Sequence, residues 1–153
     1  MLRAHHYARD VSSTDDVEPL GYPGQRLGRP NHGAGSVAGW GRRLGALAVD
    51  WAVSLLAVGA FIGNEVWTGQ GFAVWAPLVA LFVQLTVLTG LVGASVGQRL
   101  LGIGVVMLDG RPPGLGRAAV RSLLICLALP PLVFDRDWRG LHDLAVGTVV
   151  IRH

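Results

Sequence analysis

The sequence predicts an all-α membrane protein with two transmembrane helices and a short third span or re-entrant helix, and three observations lead to this prediction. The chain has 153 residues, of which 51% are hydrophobic and only 15% charged, and its mean hydropathy is +0.46. The apolar residues form long runs instead of being spaced as on a soluble amphipathic helix. The chain also contains 22 glycines, which membrane helices tolerate better than soluble helices do.

The first apolar run covers 44–63 and contains an acidic residue, Asp50. Its roughly 20 residues would span about 30 Å as a helix, which is the thickness of a hydrocarbon core. Arg43 lies two helical turns before Asp50 on the same helix face, and Ser54 continues this polar stripe by one more turn. Because an ionisable side chain inside a membrane span is costly, Asp50 and Arg43 are candidate functional residues.

The second apolar run covers 72–93 and carries no charge. Pro77 lies near its start, where a missing backbone donor does least harm to a helix. A polar stripe on the first span needs polar groups on a facing helix, and Gln84 is such a group in the second.

The third apolar segment, 118–134, is harder to assign. Its apolar part, 122–134, would measure only about 20 Å as a helix, and Pro130 and Pro131 interrupt it. It would either cross with snorkelling arginines or enter partway and return as a re-entrant element. Two short runs, 105–108 and 148–151, indicate strands, and if they pair on the cytoplasmic side, 122–134 cannot cross.

The arginines predict the orientation and the domain limits. The connection 64–71 contains no arginine, whereas arginines precede the first span and follow the second. By the positive-inside rule, the N-terminus of this multi-pass protein is cytoplasmic and its location is the cell membrane. Residues 1–38 have no apolar run and are expected to form a disordered cytoplasmic tail. Residues 39–153 form the membrane domain.

Three motifs occur in a recognisable order: RLGALAVD at 43–50, SVGQRLLGIGVV at 95–106 and GLHDLAVGTVV at 140–150. Together they resemble the RDD family of small membrane proteins over residues 38–152. The resemblance maps the arginine and first aspartate of the family to Arg43 and Asp50, and its second aspartate to Asp143. The family often has lysine where this chain has Gln98, so any binding of lipid head groups or an anion there would fall to Arg99. The resemblance implies a role in transport, with no agreed substrate.

These residues favour transport of an ion or small solute, with Asp50 as a protonatable or cation-binding carboxylate. Arg43, Arg121 or His142 would set its pKa. Asp143 would be a second carboxylate at the cytoplasmic mouth. The same intramembrane charges would also suit simple interhelical ties, and the alternative function is that of an accessory or assembly subunit of another membrane protein.

The expected partners are the lipid bilayer and either further copies of this chain or another membrane protein. Nucleic-acid binding is not expected, because the arginines flank apolar segments and form no basic platform. Catalysis is not expected either, since His142 and Asp143 have no serine or cysteine nucleophile motif nearby. We expect no cofactor, and a single His-Asp dipeptide does not make a metal site.

Overall fold

The computed structural model describes residues 21–63, 65–68, 71–127 and 137–153, and within these ranges the chain is mostly helical. The helices are α1 (Trp40–Ile62), α2 (Glu65–Thr68), α3 (Ala76–Val92), α4 (Val96–Leu100), α5 (Gly114–Cys126) and α6 (Leu141–Val146). The strands are β1 (Ile103–Met107) and β2 (Thr148–Arg152), and two 3-10 helices cover Gln25–Leu27 and Gly71–Trp75.

Both long apolar runs form helices, as predicted. Trp40–Ile62 and the helical stretch Ala73–Val92 are long and apolar enough to cross a membrane, with a mean hydropathy of 1.9 each. Only 22% and 28% of their apolar windows are buried inside the chain, and Phe61 is 91% exposed. Because a water-soluble monomer rarely exposes so large an apolar surface, these helices differ from the core helices of a soluble protein and fit a small membrane protein.

The two long helices pack through faces that repeat every four residues. The buried residues of α1 are Ala46, Asp50, Ser54 and Val58, and those of α3 include Leu81, Leu85 and Thr89. This spacing aligns the side chains along one face of each helix. Asp50 therefore lies on the packed face of α1 and not on its outward face.

The two predicted strands pair with each other, which confirms the small strand pair. β1 runs antiparallel to β2, with Ile103 opposite Arg152 and Met107 opposite Thr148. Because Met107 and Thr148 are partners, the intervening segment 108–147 leaves the sheet and returns to it at the same end.

The third apolar segment forms a short helix over its described part. α5 has 13 residues, or about 20 Å, which is less than the thickness of a hydrocarbon core. It packs closely on α3, since a Cβ on Gly90 would lie 2.9 Å from the Cα of Leu115. Residues 128–136 of the expected 118–134 segment lie outside the described residues.

The segment before α1 lies against the free edge of β2. The backbone N–H of Ala38 donates to Val150 O at 2.9 Å, and the N–H of Arg152 donates to Ser36 O at 2.9 Å. Ala38 is fully buried in a core that also contains Ala46 of α1 and Val105 of β1. Of the expected tail 1–38, residues 1–20 lie outside the described residues, whereas 21–38 include this packed segment.

Candidate functional site

Asp50 is the acceptor that joins three elements. Its side chain is 1% exposed. Gln84 of α3 donates to Asp50 Oδ1 at 2.8 Å, and the hydroxyl of Ser95 donates to Asp50 Oδ2. The backbone N–H of Gly97 donates to Oδ1 at 2.8 Å. The carboxylate therefore fastens α1 to α3 and to the start of α4.

The middle sequence motif explains why α4 can approach α1 so closely. Ser95 and Gln98 form a capping box, in which the Ser95 side chain accepts from Gln98 N and the Gln98 side chain accepts from Ser95 N. Gly97 has no side chain at the point of contact, and a Cβ there would lie 2.1 Å from the carbonyl oxygen of Ala46. Gln98 thus has a defined role at the helix start.

Asp143 is the centre of a second polar cluster. Its side chain is 0% exposed and pairs with two arginines. Arg43 Nη1 lies 3.1 Å from Oδ2 and Arg121 Nε lies 2.9 Å from Oδ1. The Thr148 hydroxyl donates to Oδ1 at 3.0 Å. The cluster joins α1, α5, α6 and β2.

Arg43 has further contacts at the base of α1. Its Nε donates to Ala38 O at 3.0 Å, and its guanidinium lies 5.7 Å from the ring centroid of Trp40. None of the ion pairs among the described residues joins Arg43 to Asp50. Although the two residues share a helix face, the arginine extends to Asp143 while the aspartate is bound by α3 and α4.

The charges around Asp143 determine its protonation. Burial acts to raise the pKa of the Asp143 carboxyl, but the guanidinium of Arg121, then His142 and Arg43, hold this pKa below its usual range. Burial lowers the pKa of His142 to about 4, opposed by Asp143 and assisted by Arg121 and Arg43. At neutral pH the cluster therefore contains two guanidinium groups, one carboxylate and a neutral imidazole.

A small cavity lies between Asp50 with its hydrogen-bond donors and the cluster around Asp143. Its volume is about 50 Å³, enough for a few water molecules or a small ion. The polar residues lining it are Arg43, Asp50, Gln98, Arg121 and His142, and its other walls are apolar. Among the described residues, no group of three or more His, Cys, Asp or Glu could hold a metal ion.

Several buried polar atoms at this site have no hydrogen-bond partner within the described part of the chain. They are Arg43 Nη2, Arg121 Nη1 and His142 Nδ1. The side chains of Arg43 and Arg121 are only 8% and 4% exposed. Because buried polar groups are usually satisfied, these atoms require an explanation.

The structure brings most of the predicted site residues together, but in two groups. Gln84 joins Asp50, whereas Arg43, Arg121 and His142 surround Asp143. Ser54 is buried, and its hydroxyl donates to the carbonyl oxygen of Asp50 at 2.9 Å. Arg99 is exposed and belongs to neither group.

Sequence reasoning missed three contributors, which are Ser95, Gly97 and Thr148. The capping-box pattern, serine followed three residues later by glutamine, was available to identify Ser95 as the start of a helix. No sequence signal connects Gly97 to Ala46 or Thr148 to Asp143, because both contacts depend on how separate elements pack.

Comparison with known protein families gave a match. The model of the RDD family matches residues 37–147, which is more than half of the chain and contains Asp50, Asp143 and the two arginines that pair with Asp143. No curated protein and no solved structure matches the chain.

Proposed function

The chain belongs to the RDD family, and from this premise we propose that it takes part in transport of an ion or small solute, with Asp50 as the coupling carboxylate. The observation that supports this role most directly is the position of Asp50. It is buried on the packed face of α1, it lines the cavity, and it is the common acceptor of donors from α3 and α4.

A carboxylate in this position links protonation to helix packing. The ionised group accepts from Gln84, Ser95 and Gly97 N. A proton on either oxygen removes the negative charge that strengthens all three hydrogen bonds, so these contacts would weaken even where Ser95 reverses its hydroxyl to accept. Protonation of Asp50 would therefore loosen α1 from α3 or α4 beside the cavity, which is the coupling that a proton-linked transporter requires.

This proposal is tested with Asp50→Asn in the full chain. The amide has the shape of the carboxylate but no charge, and Ser95 can reverse its hydroxyl to accept from it. Proteoliposomes containing a pH-sensitive dye are exposed to gradients of sodium, potassium, chloride or phosphate. We expect wild type to transport at least one of these ions, with or without protons. We expect Asp50→Asn to reduce that flux at least tenfold.

Arg42→Lys is the matched control, because Arg42 is exposed on the same helix and donates to Leu101 O, away from the cavity. Its flux should equal that of wild type. If Asp50→Asn assembles normally and has wild-type flux for every ion that wild type moves, Asp50 has no coupling role.

A second candidate function is assembly with another membrane protein, and a groove between α1 and α3 favours it. The groove has a volume of about 530 Å³ and is lined largely by small residues, among them Ala57, Ala76 and Ala80. Small residues allow a further transmembrane helix to approach closely. Native mass spectrometry of the same samples separates the two functions. A defined homo-oligomer with flux supports transport, and a stoichiometric complex with another protein without flux supports assembly.

A further inference from the structure

We propose that the cavity lined by Arg43, Asp50 and Arg121 is an anion site, in which the two arginines bind an oxyanion group such as a phosphate or a carboxylate. This inference names the ligand class of the site described above. It rests on the proposed function only in treating the cavity as a binding site, and it holds whether or not the ligand crosses the membrane.

The first argument is the set of free donors. Arg43 Nη2 and Arg121 Nη1 are buried and have no hydrogen-bond partner among the described residues. Both side chains line the cavity. A guanidinium group donates and never accepts, so these atoms can be satisfied by an anion or by a neutral acceptor such as water, but not by a cation.

The second argument is the balance of charge. Two guanidinium groups share the single carboxylate of Asp143, since each is paired to a different oxygen of it. His142 lies 3.6 Å from the same carboxylate and is neutral at pH 7. Within the Asp143 cluster, one guanidinium charge is therefore not matched by a paired carboxylate, because the other carboxylate at the cavity, Asp50, makes no ion pair among the described residues. A buried charge without a direct partner is costly.

The third argument concerns Asp50, the other charged group at the cavity. Its two oxygens already accept three hydrogen bonds, so little capacity remains there for a cation. Its charge also repels an anion at short range. The anion is therefore held at the arginine end, and loss of charge at Asp50 is expected to strengthen its binding.

The size of the cavity limits the ligand. A volume of about 50 Å³ is far below the roughly 300 Å³ at which pockets for drug-sized ligands begin. The site therefore fits a single oxyanion group, either a free inorganic ion or the charged end of a larger molecule such as a lipid.

The test measures the thermal unfolding temperature of the full chain in a neutral detergent. Sodium phosphate or sulfate is titrated in the low millimolar range, with sodium chloride added to keep the ionic strength constant. A ligand that binds only the folded state stabilises it by RT ln(1 + [L]/Kd), and we expect a rise of a few degrees that continues with the logarithm of the anion concentration above Kd. In a second arm, the same detergent contains phosphatidylglycerol or, for comparison, phosphatidylcholine.

Arg43→Lys and Arg121→Lys keep the charge but remove the forked donors. We expect each to weaken the apparent anion affinity by about tenfold or more. Arg117→Lys is the matched control, because Arg117 is exposed one helical turn before Arg121 on α5 and should titrate like wild type. General stabilisation by sulfate or phosphate would affect all variants equally.

Asp50→Asn gives a test in the opposite direction if the lysine variants do not fold. Removal of the repelling charge should increase the apparent anion affinity. Binding that is unchanged or weaker in this variant overturns the proposal.

The two arms identify the source of the oxyanion. A response to inorganic phosphate or sulfate indicates a free ion, and a response to phosphatidylglycerol that exceeds that to phosphatidylcholine indicates a lipid head group. Absence of both responses, or equal responses in wild type, Arg43→Lys and Arg121→Lys, overturns the proposal and leaves water as the partner of the free donors. Anion binding without flux would contradict transport and not this inference, whereas flux without anion binding would contradict this inference alone.

Discussion

Asp143 shows how one carboxylate can position two arginines that are far apart in the sequence. It is fully buried and accepts from Arg43, Arg121 and Thr148. Removal of one partner from a buried ion pair costs about 3–5 kcal/mol, because the remaining charge stays buried without compensation. Each of the three charges in this cluster therefore depends on its partners remaining in place.

His142 makes the stability of this cluster depend on pH. Its pKa is lowered to about 4 in the folded chain, whereas an unfolded histidine titrates near 6.5. Between these values the unfolded chain binds more protons than the folded one, so the free energy of unfolding decreases as the pH falls. We expect a loss of about 3 kcal/mol between pH 6.5 and pH 4, measured as the unfolding temperature in detergent.

Two variants identify the source of this acid sensitivity. His142→Gln should flatten the change in unfolding temperature over that pH range, because the titrating group is gone. His32→Gln should keep the wild-type slope, since His32 is exposed. An unchanged slope in His142→Gln would show that other groups cause the acid sensitivity.

At the scale of elements, α4 is a short helix whose position is fixed from two sides. Its capping box determines where it begins, and Asp50 accepts from Ser95 and from Gly97 N. A five-residue helix has little stability of its own. Its contact with α1 therefore stabilises the helical conformation of α4, and Gly97 is the position that permits this contact.

Gly97→Ala should destabilise the chain by about 1–3 kcal/mol, because the new Cβ meets backbone that cannot move easily. The carbonyl oxygen of Ala46 would lie 2.1 Å away. The measurement is chemical or thermal unfolding of the full chain in detergent.

Gly116→Ala is the matched control on α5. Nothing lies within 4 Å of the site where its Cβ would be, and alanine is intrinsically better than glycine inside a helix by about 1 kcal/mol. The control should be as stable as wild type or more stable. Equal stability of Gly97→Ala and wild type would show that α4 does not depend on close contact with α1.

At the scale of the whole molecule, the strand pair limits how the chain is arranged across a membrane. Met107 pairs with Thr148, so we expect the segment 108–147 to make no net passage from one side of a membrane to the other. Open strands do not occur in lipid. We therefore expect both strands to lie on the same side as the start of α1, which the arginine distribution predicts to be the cytoplasmic side.

Cysteine labelling in intact cells tests this arrangement. Cys126 is the only cysteine of the chain, so Cys126→Ala provides a background for single cysteines at Glu65, Asp109 and His153. An impermeant maleimide should react from outside with Glu65→Cys only. It should react with Asp109→Cys and His153→Cys after the cells are opened. Opposite accessibility of Asp109→Cys and His153→Cys would contradict the paired-strand arrangement in the membrane.

The sequence by itself determined the two apolar helices, the two strands and the family, because these depend on local properties. Run length and hydropathy specify 44–63 and 72–93, and β-branched runs specify the strands. The helical period also predicts that Asp50 and Ser54 lie on the same face of α1.

Only the tertiary structure decided which polar groups meet. Arg43 and Asp50 share a helix face, yet Arg43 binds Asp143, which is 100 residues away in the sequence, and Asp50 binds Gln84, Ser95 and Gly97. Helical periodicity gives the direction of a side chain from its own axis. It does not give the identity of the groups that other elements bring to that place, because those depend on how α3, α4, α5 and α6 pack around α1.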